Sequence, residues 1–264
     1  GNHVWDFGPD GVDETVGHCT ARGIATAGTG ADLDAALRPA VIETEGTTIA
    51  VISINCVGPR ESWATGLKPG AAYVEIVTHY EPRGANPGGP PRIHTFAEPR
   101  SLDRATAAVR AAAGDGVVVI VALHQGLVHV PVEVAAYETQ VARAMVDAGA
   151  HAVIAHHAHI LRGIQVYRGR AIFHGLGNFA TVTRALSAAP GDAAERASWA
   201  RERVRLFGFV PDPAMPDYPF HPESRNTAVA RLEIAGGDVV AASVLPFWID
   251  DDARLEPRLG MDIG

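Results

Sequence analysis

Residues 151–160 read HAVIAHHAHI. The run HAVIA, 151–155, is short and apolar with a β-branched centre, the pattern of a buried strand. It breaks off into histidines at 156, 157 and 159. Residues two apart on extended chain point to the same side, so His157 and His159 can reach one point together. Neutral imidazoles converging at the C-terminal end of a strand are a way to hold a divalent metal. The competing reading is a polar loop whose histidines bond nearby carbonyls.

Working outward, GVVVIVAL (116–123) is a continuous apolar, β-branched run, the signature of a strand covered on both faces. It too ends in a histidine, His124, with His129 five residues on. In layered α/β proteins ligands gather at the carboxyl ends of strands. Helices are expected at 10–22 (stopped by Gly23), 31–37, 101–113 and 133–148, the last with Val134, Tyr137, Val141, Met145 and Ala148 on one face. Hairpins are expected at 41–58, 164–177 and 226–250, turning at Glu45-Gly46, Arg168-Gly169 and Gly236-Gly237. Residues 181–209 read as helical, with a Pro-rich connection to 222. Strands alternate with helices first and pair as hairpins later, so the expected class is a mixed α/β layered fold forming a single domain over 1–264. The Pro/Gly-rich stretch 59–100, with its ANPGGPP segment, reads as an ordered insertion bordering a site, packed through Trp63, Tyr73, Tyr80 and Phe96.

Composition narrows the chemistry. A chain of 264 residues can bury a substantial core. A formal net charge of -8 leaves no basic face for phosphate backbones, which excludes nucleic acid as a partner. No apolar run approaches the roughly 18 residues that span a bilayer. Two cysteines, Cys19 and Cys56, make neither a disulfide framework nor a thiolate zinc motif. With twelve histidines available, any metal site is built from nitrogen and oxygen ligands.

Two further stretches carry candidates. In IFHGLGNFA (172–180), His174 and Asn178 flank a Gly-Leu-Gly turn where backbone can approach a ligand closely. With His129 they are assigned to the substrate side, turn closure being the alternative for Asn178. The opening GNHVWDFGPDG (1–11) sets Asn2, His3 and Asp6 within one turn. Beside a metal, the Asn2 amide oxygen binds the cation while the His3 imidazole acts as general acid next to the Asp6 carboxylate. Arg60, Arg83, Arg92 and Arg100 of the insertion could take a carboxylate or phosphate, or simply form a solvated face. His18, His79, His94, His151 and His221 read as structural or surface residues.

Taken together these stretches look familiar. NHVWDFGPDGVDETV resembles the Asn-His segment of the CapA family of bacterial capsule or poly-γ-glutamate synthesis proteins. His124-Gln125-Gly126 is similar to the family's HWG turn, and residues 146–179 resemble its long segment ending in SLGNF. The resemblance implies a fold like the calcineurin-type metallophosphoesterases, an α/β/β/α sandwich with mixed sheets. It further implies a divalent metal ion (Mn, Zn or Fe) on Asn2, His124, His157 and His159, with His3 as proton donor. The implied activity is a metal-dependent hydrolase acting on a phosphoester, ester or amide. The rival is a non-catalytic accessory or binding subunit of a capsule or polyglutamate assembly system. The substrate is then a small molecule or an acidic peptide or polymer; a homo-oligomer is left open, and the cytoplasm is slightly favoured as compartment.

Departures from the family pattern fall around the pocket and bear on substrate more than on fold. Ala158 stands for the family's Pro, Ala155 for its Gly and Val128 for its Glu, while FHGLGNF stands for YSLGNF. Family members also carry a Gly-Asp strand and an acidic segment ahead of the Asn-His motif. Neither is in this sequence, so the chain reads as an N-terminally incomplete piece of a longer protein.

Overall fold

The computed structural model describes residues 1–82, 89–184, 187 and 192–258. A short 3-10 turn, Asn2–Trp5, leads into α1 (Gly8–Thr20), then β1 (Thr29–Gly30) and α2 (Leu33–Leu37). Asp32 caps α2 by accepting the Ala35 N–H at 2.7 Å. β2 (Ala40–Thr44) and β3 (Thr47–Asn55) form the first expected hairpin. Its turn residues Glu45 and Gly46 both have positive φ, 48° and 75°, as a tight turn matching strand twist requires.

The 59–100 stretch is more regular than its composition implies. It contains β4 (Gly70–Ala71) and a hairpin of β5 (Ile76–Glu81) with β6 (Arg92–Ala97). Arg83 and residues 85–88 of the ANPGGPP segment lie outside the described residues. Then follow α3 (Pro99–Ala112), β7 (Val117–Gln125), α4 (Ala136–Asp147), β8 (Ala152–His157), β9 (Ile164–Tyr167) and β10 (Arg170–Phe173). Helix α5 covers only Ala193–Phe207 of the expected 181–209; residues 185–186 and 188–191 are outside the described set. β11 (Asn226–Ala235), β12 (Asp238–Ile249) and β13 (Leu255–Pro257) complete the chain. Among the described residues no helix is long and apolar enough to cross a membrane.

Six strands form one mixed sheet in the order β2-β3-β7-β8-β10-β9. The four inner strands run parallel and the two outer ones antiparallel. Central β7 carries Val118, Val119, Val121 and Leu123 at 0–1% exposure. Each such burial contributes roughly 1.5–3 kcal/mol, so this strand is firmly anchored. One face packs on α3 and α4 through Ala105, Val109, Val141 and Met145. The other meets the three-stranded sheet β11-β12-β13, where Phe173 and Leu176 pack with Ala228. This is a mixed α/β layered architecture, consistent with the metallophosphoesterase-like class expected. Its consequence is positional: the C-terminal ends of β3, β7, β8 and β10 lie side by side.

Candidate metal centre

Parallel pairing brings the histidine-bearing ends together. In register, His124 of β7 lies opposite His156 of β8, and Gln125 opposite His157. The rings of His124 and His157 approach to 4.9 Å between centroids, and those of His157 and His159 to 6.3 Å. The Asn2–Trp5 turn lies against them, with Asn2 Oδ1 2.8 Å from His124 Nε2. Gly58 makes that approach feasible, because a Cβ there would stand 2.6 Å from Asn2 Cβ. Lys68 of the 59–100 stretch holds the same turn, its ammonium 4.1 Å over the Trp5 ring. His159 is oriented from behind by Asn178, whose Oδ1 lies 2.6 Å from its Nδ1. Asn178 is itself fixed by donating to the Tyr218 hydroxyl at 2.8 Å. Asn178 thus sits behind His159, as the support that second-layer groups give metal-binding imidazoles.

The remaining candidates fall into three places. His3 is 80% exposed and its Nδ1 lies 2.8 Å from Asp6 Oδ2, an open dyad at the rim. His129 is only 3% exposed and stacks on His159 at 5.4 Å. Phe207, Phe209 and Phe220 close around it at 5.8, 4.9 and 5.8 Å. His174 is 4% exposed and takes its electrostatic neighbours from Arg143 and Arg162 rather than from the other histidines. The phenylalanine wall is absent from the sequence reading of 181–222. Four aromatics between 207 and 220 were its only signal there.

Electrostatics and backbone both mark the cluster. Burial holds His124 and His129 down to a pKa of about 3 and His157 to about 4, so all are neutral near pH 7. Burial lowers His159 as well, partly offset by its bond to Asn178. Among non-glycine residues with positive φ are His129 (57°), Val132 (66°), His157 (104°) and His159 (58°). Strained backbone persists where surrounding structure over-determines it, and such residues gather at functional sites.

One expectation follows at once. A free histidine titrates near 6.5, so below that pH the unfolded chain takes up protons that folded His124, His129 and His157 refuse. Their contribution is complete above pH 6.5 and lost as pH falls toward 4, at about 1.4 kcal/mol per pH unit for each histidine. Urea midpoints should therefore drop between pH 7 and 5, and drop less in His129→Phe. A midpoint equally pH-dependent in that variant would remove His129 from the account.

The donor types suit a divalent ion: neutral imidazole nitrogens with an amide oxygen. Among the described residues, no three His, Cys, Asp or Glu side chains are grouped to hold one ion. The fit therefore rests on a mixed set in which Asn2 joins His124 and His157, with His159 adjacent.

Comparison with known proteins shows the family. Residues 1–183 match the family described as bacterial capsule synthesis protein PGA_cap. A Mycobacterium tuberculosis protein named as a polyglutamine synthesis accessory protein is 30% identical over 183 residues, covering 67% of this chain and 42% of its own length. The Bacillus subtilis PGA biosynthesis protein CapA is 28% identical over 179 residues, covering 67% of this chain and 40% of its own. A shorter match, 53% over 38 residues, links 14% of the chain to 9% of the Bacillus anthracis capsule biosynthesis protein CapA. The chain thus spans less than half the length of the curated relatives it matches. The matched region holds every histidine of the cluster, whereas the phenylalanine wall lies beyond it. On the family match over residues 1–183, this chain belongs to the bacterial capsule synthesis protein (PGA_cap) family.

Proposed function

We propose that the chain carries a metal-dependent hydrolytic site that acts on a phosphoester, ester or amide. The observation behind this is the meeting of Asn2, His124 and His157 at the ends of parallel strands, all three uncharged. A divalent ion (Mn, Zn or Fe) bound there supplies a Lewis acid that activates water and polarises a phosphoryl or carbonyl oxygen. Asn2 and the two imidazoles would hold it, and Asn178 orients His159 beside them. With Asp6 accepting from His3 Nδ1–H, it is the imidazolium form of His3 that has a second proton, on Nε2, to deliver to a leaving group. The relatives are named for polyglutamine, PGA and capsule synthesis, and the CapA resemblance makes an acidic peptide or polymer the substrate class to test first.

A second reading is a binding subunit without turnover. It draws support from the absence, among the described residues, of a three-membered His/Cys/Asp/Glu group, and from the relative named as an accessory protein. Metal analysis of the purified full-length protein, with a panel of phosphoester, ester and amide substrates, separates the two. The hydrolase reading expects bound divalent metal and turnover of at least one class that is lost in His124→Ala. Binding of poly-γ-glutamate with no metal and no turnover would replace it with the second.

A further inference from the structure

Behind the histidines, on the α4 side of the strand ends, lies a polar group that the metal centre does not use. Gln125 and Glu138 are 0% exposed and Arg162 is 7% exposed. Each is partly bonded. Gln125 Nε2 donates to the Glu138 carbonyl at 3.2 Å, Glu138 Oε1 accepts the Ala135 N–H at 2.8 Å, and Arg162 Nη2 donates to the Leu127 carbonyl at 2.5 Å. The rest is not bonded: Gln125 Oε1, Glu138 Oε2, Arg162 Nε and Arg162 Nη1 are buried without a partner. Bare buried polar atoms are costly, and native interiors pair them with protein or with ordered water. Glu138 and Arg162 are near enough to act on each other electrostatically, and the two bare acceptors complement Arg162's two idle donor nitrogens in number.

The backbone is opened on both sides to admit these side chains. A Cβ at Gly126, where φ is +124°, would stand 3.1 Å from Glu138 Oε2, and one at Gly175 would stand 2.7 Å from Arg162 Cγ. The three residues also span the site's framework. Gln125 ends β7 immediately after His124, and Glu138 sits in the first turn of α4. Arg162 follows His159 by three residues, and its N–H donates to the Gly175 carbonyl at 3.0 Å in the turn after β10.

We propose that ordered water bridges Arg162 to Glu138 and Gln125, forming a buried lock that positions the turns carrying His124 and His157–His159. A buried water typically makes about three hydrogen bonds, enough to serve Arg162, Glu138 and Gln125 together. Arg162 and Glu138 are positioning residues on this reading: they set imidazole geometry without touching substrate.

The test uses Glu138→Gln, Arg162→Met, Arg162→Lys and the Gln/Met double variant. In the metal-free protein, side-chain nitrogen NMR signals of His124 and His157 are followed; Mn2+ affinity is measured by calorimetry in parallel. Glu138→Gln and Arg162→Met should each shift both imidazole signals and weaken Mn2+ binding about 10- to 100-fold. Arg162→Lys, which keeps the charge and the fold, should recover part of the loss, and the double variant should be no worse than the poorer single. The lock is overturned by unmoved imidazole signals in folded Arg162→Lys and Arg162→Met, or by a crystal structure with no ordered density between Arg162 and Glu138. The Mn2+ arm rests on the hydrolytic-site reading, whereas the NMR arm does not. A wild-type protein that binds no Mn2+ would defeat that reading while the imidazole signals still decide the lock.

Discussion

Replacing His157 by glycine is expected to abolish divalent-metal binding while leaving the fold at least as stable as it was. His157 holds φ at 104°, a left-handed conformation that costs an L side chain roughly 1–2 kcal/mol. Glycine adopts it freely but adds disorder to the unfolded chain, worth about 0.5–1 kcal/mol against the fold. The net expectation is a stability change between zero and about +1.5 kcal/mol. The depressed titration of His157 is removed too, so the variant should also lose less stability on acidification. Metal affinity moves the other way. The proposed Asn2–His124–His157 set would have no donor to spare, so the loss should exceed the ~10- to 100-fold that a missing supporting residue costs. Calorimetry with Mn2+ or Zn2+ and urea unfolding on the same preparations measure both. Glycine that destabilises the protein by several kcal/mol while metal still binds would show that His157 is there for packing. His157→Asn, which tolerates positive φ and retains an oxygen donor, should fall between the two.

The candidate site is legible in the chain for a physical reason. A histidine is a poor core residue, and three of them at the end of an apolar strand are not what packing alone would select. The burst at 156–159 and the single His124 after VVVIVAL therefore stand out against a 2.0-residue period, and parallel register brings their rings within 4.9 Å. The hairpin turns were legible for a related reason: Glu45-Gly46 and Gly236-Gly237 adopt positive φ that few other residues accept. The β5–β6 hairpin was not, because Ile76–Glu81 and Arg92–Ala97 are largely exposed and bury little that would set a pattern. Nor was the phenylalanine wall over His129, which is made across more than 70 residues of chain (from His129 to Phe207, Phe209 and Phe220) and shows no local period. Asn178 illustrates the same limit. Its Gly-Leu-Gly neighbourhood marked a close approach, but only the fold shows that the atom approached is His159 Nδ1.

Removal of the His3 imidazole should act on turnover alone. In His3→Ala, kcat on a substrate with an alkoxide or amine leaving group is expected to fall about 10²- to 10⁴-fold, the range general acid catalysis supplies. Metal affinity should not change, since His3 is outside the Asn2–His124–His157 set. Stability should barely change either: His3 is 80% exposed, its partner Asp6 is 53% exposed, and exposed ion pairs contribute little. Asp6→Asn keeps the imidazole but loosens the hold on its tautomer, so a smaller fall is expected. The leaving group discriminates between proton donation and simple positioning. A p-nitrophenolate leaves without needing a proton, so His3→Ala should lose little on p-nitrophenyl substrates while losing most of its rate on alkyl ones. Equal losses on both would strip His3 of the acid role and make it a substrate contact. No loss on either would leave the rim dyad without a part in the chemistry, and the proton would then have to come from solvent.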